Sequence, residues 1–246
     1  MRQVIVENTF ESWRIAARRL LVAKVSPDDV VWADPSQRTL FDTFEIGEPE
    51  KPTYKIDPAF IDLARLVSCH SSSEKWPLLY RLLYRLINEN RELLEIASDI
   101  DVRDALLLKK SVTKDVHKFH AFVRFRLIKC DGREVYVAWY EPHHYTVERA
   151  TPFFERRFGS MTFSILTPKG CAHWNLKKLT FSPGVEKINI ADSDDTEDFW
   201  LTYYAAIFNP FRLKIKAMKK ELPVRHWRTL PEAVLIDRLI KDSTGG

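Results

Sequence analysis

A chain of 246 residues, 45% of them hydrophobic, can bury a substantial core as one large domain or two small ones. Its 7 glycines supply neither a GxxxxGKS/T nor a GxGxxG phosphate cradle; its 3 cysteines (Cys69, Cys130, Cys171) are odd in number and form no CxxC; and no apolar run approaches the ~20 residues that span a bilayer. The net charge of +4 is mild, but base gathers near the C-terminus in Arg212, Lys214, Lys216, Lys219, Lys220, Arg225 and Arg228, against a single Glu221, a local excess that suits an anionic partner.

The opening MRQVIVENTFESW has no apolar signal-peptide stretch, so the expected location is cytoplasmic. Thr9 opens a helix in which Phe10, Trp13, Ala17, Leu20 and Leu21 recur at helical spacing, and Ser26-Pro27-Asp28 ends it. Residues 32–55 read as a loop-rich connector with one short strand, Leu40–Phe44. Asp57-Pro58 pairs an N-cap with a proline at the first helical position and starts a helix to about Val67. Ser73 caps the next helix, striped by Trp76, Leu79, Leu83, Leu86 and Ile87, and a short helix spans 91–97. Asp101 starts a long helix to about His120, with Val102, Ala105, Leu106, Val112, Val116 and Phe119 inward.

The hydrophobic period then changes from 3.6 to 2. The alternation on both sides of Asp131-Gly132 predicts a hairpin of 123–130 with 134–140, since glycine accepts the positive φ of a two-residue turn. A helix follows over about 144–158, then short strands at 162–166, 172–174 and 178–181. Asp195, Asn209-Pro210 and Pro231 each start a further helix, and residues 241–246 form a disordered tail. The order predicts an α+β fold: N-terminal helices, a central antiparallel sheet with an embedded helix, and C-terminal helices. It reads as a single domain over 1–240, mainly helical in 1–120, sheet in 121–185 and helical in 186–240.

Candidate chemistry lies in two residue sets. His117 and His120 share one helix face, His143 and His144 stand where sheet passes to helix, and His173 lies in a strand. Together with Glu141 and Glu148 they supply donors for a His/carboxylate metal centre or for acid–base work, although no HExxH occurs. The catalytic candidates are His120, His143, His144, Glu148 and His173; satisfied core or surface histidines are the competing reading. The second set is cationic. Alternation puts Arg124 and Arg126 on one face of the first hairpin strand, near Tyr136, Trp139 and Tyr140, and Arg149, Arg156 and Arg157 lie on the helix that follows. Arginine forks match phosphate oxygens, and cations mixed with aromatics suit single-stranded nucleic acid. Arg212, Lys216, Lys219 and Lys220 cluster on one side of the C-terminal helix, and Trp227 could stack on a base. No GxSxG elbow or cysteine with an adjacent base supports nucleophilic catalysis.

The segments HAFVRFR, WYEPHHYTVERATPFFERRF, SILTP, AHWN, YYAAIFNPFRLKIKAMKKELP and HWRTLPEA carry a resemblance. Over roughly residues 4–240 the chain resembles a bacterial family of putative DNA-repair or probable DNA-metabolism proteins of unknown function. That module is also found at the N-terminus of UdgX-type uracil-DNA-binding proteins. The resemblance implies a role near DNA repair and a radical-SAM protein as partner; it implies no cofactor and no established catalytic residue. Two departures stand out. The resembled pattern has Asp after the His-Trp where this chain has Asn175, and Asn-Pro-Ala-Arg where it has Asn209-Pro210-Phe211-Arg212. No Gly-Glu-x-Pro-Gly loop occurs, so uracil excision is not expected. The leading expectation is an accessory module that binds DNA through a basic surface and works with a radical-SAM or glycosylase-type enzyme, without independent activity. The alternatives are a metal- or histidine-dependent hydrolase acting on nucleic acid or nucleotide, and a protein–protein adaptor.

Overall fold

The computed structural model describes residues 2–35, 54–130 and 133–187. The expected strand 40–44, the Asp131-Gly132 turn, and the helices from Asp195, Asn209-Pro210 and Pro231 lie outside the described residues. The chain divides into two compact units, residues 1–115 and 116–246. Among the described residues five helices and a five-stranded mixed sheet make an α+β fold, and no helix is long and apolar enough to cross a membrane.

The first unit is helical around a small parallel pair, β1 (Arg2–Ile5) and β2 (Val30–Ala33). Neither strand was expected, and β2 corrects the reading of Trp32 and Ala33 as the start of a connector: four-residue strands are too short for their alternation to stand out. α1 (Phe10–Val22) is capped by Thr9, whose hydroxyl accepts from the Ser12 amide at 3.2 Å. α2 (Pro58–Val67) starts as expected, with the Asp57 carboxylate accepting from the Ala59 amide at 2.8 Å. α3 (Lys75–Asn88) begins after Glu74, and Ser73 makes no side-chain cap. The expected helix at 91–97 shrinks to a 3-10 turn, Leu93–Glu95. Trp13, Phe60, Leu79, Tyr80 and Leu82 fill the core, and the Tyr80 hydroxyl donates to the Val25 carbonyl at 2.8 Å.

α4 (Ile100–Phe122) starts one residue before the expected Asp101. Its cap is Asp99, whose Oδ1 accepts from the amides of Asp101 (3.0 Å) and Val102 (3.2 Å). Asp101 instead pairs with arginine: Arg81 Nη2 lies 2.9 Å from Asp101 Oδ1, and Arg85 bridges Asp99 (2.7 Å) and Asp101 (2.9 Å). The Arg85 guanidinium holds the Asp99 carboxyl below its ordinary range. Leu106, expected inward, is 42% exposed.

Lys75 is buried at the start of α3. Its Nζ donates to Asn8 Oδ1 and to the His70 carbonyl, both at 2.5 Å, and lies 4.5 Å from the centroid of the Trp76 ring. Burial pushes its ammonium down to about 8, with the Cys69 thiol pulling the other way.

The second unit is built on the sheet β3–β4–β5–β6–β7: Arg126–Cys130, Arg133–Trp139, Phe163–Leu166, Cys171–Trp174 and Leu179–Ser182. β3 and β4 form the expected hairpin, with Cys130 opposite Arg133. β5, β6 and β7 follow as an antiparallel meander. The sheet is nevertheless not wholly antiparallel, because β4 and β5 run parallel. The helix between them, α5 (Val147–Phe158), is the reason: a parallel pair needs a crossover, usually helical. One sheet face carries Ala138, Phe163, Ile165, Ala172 and Trp174, which pack with Phe119, Val147, Ala150 and Phe154 of α4 and α5. The other face carries Ile128, Val137, Leu166 and Cys171.

After β7 the chain returns across the β5–β6 turn, where the Val185 amide donates to the Thr167 carbonyl at 3.0 Å. A Cβ on Gly184 would lie 2.2 Å from the Pro168 carbonyl oxygen. Gly184→Ala should therefore cost about 1–3 kcal/mol of unfolding free energy in urea titrations, as forced overpacking does; an unchanged midpoint would reject this close approach. Lys75 makes a pH prediction. In the window from about 8 to its ordinary 10.5 the unfolded chain holds a proton that the folded chain lacks, so stability rises with pH. The gain should approach roughly 3 kcal/mol across that window and vanish in Lys75→Met, as read from urea unfolding at a series of pH values.

Candidate nucleic-acid interface

α5 forms because Val147, Ala150, Thr151, Phe154 and Phe158 recur on one stripe, and it buries that stripe on the sheet. It begins at Val147, later than the expected His144. Phe153 lies beside the buried stripe, only partly covered. At helical spacing its neighbours are Arg149 (i−4), Arg156 (i+3) and Arg157 (i+4). All three arginines are exposed. Neither Glu148 nor Glu155 stands three or four positions from any of the three arginines; at ~100° per residue both acids lie opposite Arg157 and about a quarter turn from Arg156.

His120 of α4 stacks on Phe153, with ring centroids 4.3 Å apart and planes 22° from parallel. Its Nε2 lies 3.0 Å from the Ala150 carbonyl. With the proton on Nε2, the ring donates to this oxygen and leaves Nδ1 as an acceptor. Burial lowers the affinity of His120 for a second proton, and the nearby positive charges of His117 and Arg156 lower it further, against the pull of the Ala150 carbonyl. His120 thus stands on the Phe153 ring with His117 and Arg156 close enough to act on its charge, while the Arg157 guanidinium lies over the Phe158 ring at 5.6 Å.

The remaining candidates stand elsewhere. Arg124 is not on the strand, which begins at Arg126; it donates to the carbonyls of Ala121 (2.7 Å) and Val123 (3.0 Å) and so satisfies the end of α4. Arg126 sits opposite Val137, whose side chain belongs to the sheet face away from α5. The aromatic platform expected beside these arginines is core: Tyr136 and Tyr140 pack in the α5-side cluster, and Trp139 packs on the other face while donating to Glu141 Oε1 at 3.1 Å. His143 and His144 precede α5, at the end opposite Arg156 and Arg157, about 14 Å away along the axis at ~1.5 Å per residue. His143 is exposed and His144 buried, their rings meet edge to face at 4.6 Å, and Lys169 Nζ donates to the His143 carbonyl. His173 lies on the face away from α5, its Nδ1 2.8 Å from Ser164 Oγ and its Nε2 3.0 Å from Ser182 Oγ. Burial lowers its proton affinity too, and both ring nitrogens meet neutral hydroxyl partners. The candidate histidines therefore occupy three separate places, and among the described residues no group of three or more His, Cys, Asp or Glu is placed to hold a metal. Arg212, Lys216, Lys219, Lys220 and Trp227 lie outside the described residues.

Reading by residue type passed over a second cationic cluster. Residues 175–178, Asn-Leu-Lys-Lys, turn from β6 to β7 and expose Lys177 and Lys178. Asn175 Oδ1 accepts from the amides of Lys177 (3.1 Å) and Lys178 (2.8 Å). This is a turn-forming role that Asp would fill equally, so the departure from Asp leaves the local geometry intact. The signal was the pair Lys177-Lys178 after Asn175, of which Lys178 was expected inside the strand 178–181 and instead precedes β7.

Residues 73–232 match the family described as a domain of unknown function, DUF4130. No curated protein and no solved structure matches the chain.

The stacked His120 carries its own test. Its imidazole should titrate below the ordinary ~6.5 in an NMR pH series. Arg156→Ala should move that titration upward, by removing a like charge. A titration indifferent to Arg156 would mean that the two side chains do not share a surface.

Proposed function

The chain belongs to the DUF4130 family, and we propose that it is a DNA-binding accessory module of DNA repair or DNA metabolism. The observation that carries this reading is the exposed trio Arg149, Arg156 and Arg157 at helical spacing from Phe153, on which His120 stacks, with the Arg157 guanidinium over the neighbouring Phe158 ring at 5.6 Å. Arginine presents planar, permanently charged forks to phosphate oxygens. A fixed aromatic pair beneath them limits the freedom that would be lost on binding. Neither carboxylate of α5 stands at i±3 or i±4 from these arginines, so the helix spacing builds no acid–base pair with them.

In this reading the phosphate backbone is the main contact and the module presents DNA, or a damaged base, to a partner enzyme of radical-SAM or glycosylase type. The resemblance to putative DNA-repair proteins supports that setting, in the cytoplasm of a bacterium. The basic C-terminal residues Arg212, Lys216, Lys219 and Lys220 would extend the contact. A histidine-dependent hydrolase draws less support, since the candidate histidines are dispersed.

The test is fluorescence anisotropy of labelled single-stranded and duplex DNA over a salt series. Binding should weaken steeply with salt. Reversal of Arg149, Arg156 and Arg157 to Glu should reduce the log–log salt slope by about 0.9 per lost phosphate on duplex, or about 0.7 on single strands. Lys216→Glu, Lys219→Glu and Lys220→Glu would be measured alongside to apportion the contact. Absence of binding to either form at low salt would remove the proposal.

A further inference from the structure

The turn between β6 and β7 presents a feature that phosphate contact alone does not explain. Leu176 has a φ of 71°. A residue with a Cβ is strained in this left-handed region, and glycine or asparagine is the usual occupant. Burial does not compensate the strain, because Leu176 is 51% exposed. A branched apolar side chain therefore stands outward on a backbone that disfavours it, directly before the exposed Lys177 and Lys178.

The turn is also held firmly. Asn175 fastens its amides from within. Trp174, buried just before it, donates from Nε1 to the Gly159 carbonyl at 3.0 Å. Gly159 follows the last turn of α5, so this bond ties the tip to the end of the helix that carries Arg156 and Arg157. The result is an exposed apolar tip followed by two exposed lysines, on a turn tied through Trp174 to the residue that ends α5.

We infer that Leu176 is a wedge that inserts between adjacent bases of bound DNA, while Lys177 and Lys178 hold the phosphates on either side of the opened step. Apolar side chains that enter base steps unstack them and kink the strand, and they act with neighbouring cations. The inference rests on the DNA-binding reading and names the group that would distort the ligand. It also gives the strain a use: the side chain is pre-aimed, so little conformational freedom is lost on insertion.

The experiment uses the full chain and oligonucleotides carrying 2-aminopurine at successive positions, read by fluorescence intensity for unstacking and by anisotropy of a terminal label for binding. Wild type should bind and raise the 2-aminopurine signal. Leu176→Ala should still bind but lose most of the rise, whereas Leu176→Met should keep it. Leu176→Gly should lose the rise while raising the thermal unfolding midpoint, because glycine relieves the left-handed strain. Lys177→Glu with Lys178→Glu should weaken binding and reduce its salt dependence. An undiminished rise in Leu176→Ala, or binding by wild type without any rise, overturns the wedge and leaves DNA binding standing, as for a tip that docks on a protein. Absence of binding by wild type overturns both.

Discussion

The parallel pairing of β4 with β5 governs the second unit. Two antiparallel neighbours could have been joined by a tight turn, but a parallel neighbour obliges the chain to travel back along the sheet before it re-enters. α5 is that return path. Its apolar stripe is fixed against the sheet, and its remaining positions are thereby fixed too. Arg149, Arg156 and Arg157 can only appear at helical spacing from Phe153, with Glu148 and Glu155 together along an edge opposite Arg157. Its direction likewise separates His143 and His144, at the entry, from Arg156 and Arg157, at the exit.

Phe153 is where that architecture becomes chemistry. It is neither fully core nor fully surface, and α4 lays His120 on its open face. The imidazole is held by the Ala150 carbonyl on one edge and disfavoured as a cation first by burial and then by His117 and Arg156. A neutral, oriented ring amid arginines is an economical way to keep a cationic surface from repelling itself. Burial lowers the proton affinity of His173 as well, and its two ring nitrogens meet serine hydroxyls on the opposite sheet face. Buried polar groups without a charge need only good hydrogen bonds, and both histidines have them.

Local chemistry made much of this legible from the residues alone. The Asp57-Pro58 cap, the β3–β4 hairpin and the three strands of the meander all fall close to where their spacing puts them. The grouping of Arg149, Arg156 and Arg157 is also a matter of helix periodicity. What escaped was decided by distant partners. Nothing near β4 or β5 announces that they pair in parallel, and nothing in the i, i+3 relation of His117 and His120 points to Phe153 more than thirty residues on. Arg124 was misplaced because its alternation with Arg126 looks like a strand, whereas the unpaired carbonyls at the end of α4 claim it first. Leu176 was invisible for a different reason: its backbone angle is one that its side chain argues against. Asp99 caps α4 with one carboxylate oxygen and meets Arg85 with the other, a dual role set by the distant arginines of α3, while Asp101 lies inside the first turn and pairs with Arg81 and Arg85.

The same sheet order has a consequence for how the unit assembles. The β3–β4 hairpin and the β5–β6–β7 meander each close over short turns, so both can form early and independently. Joining them means closing the segment 140–162 in a single step, and the entropy of that closure must be met before any β4–β5 contact rewards it. α5 shortens the search if it is already helical, since it reduces a long flexible tether to a rod of about the right length. Mutations that weaken the helix's own propensity should then act on the folding rate, while those that weaken its contacts with the finished sheet should act on unfolding.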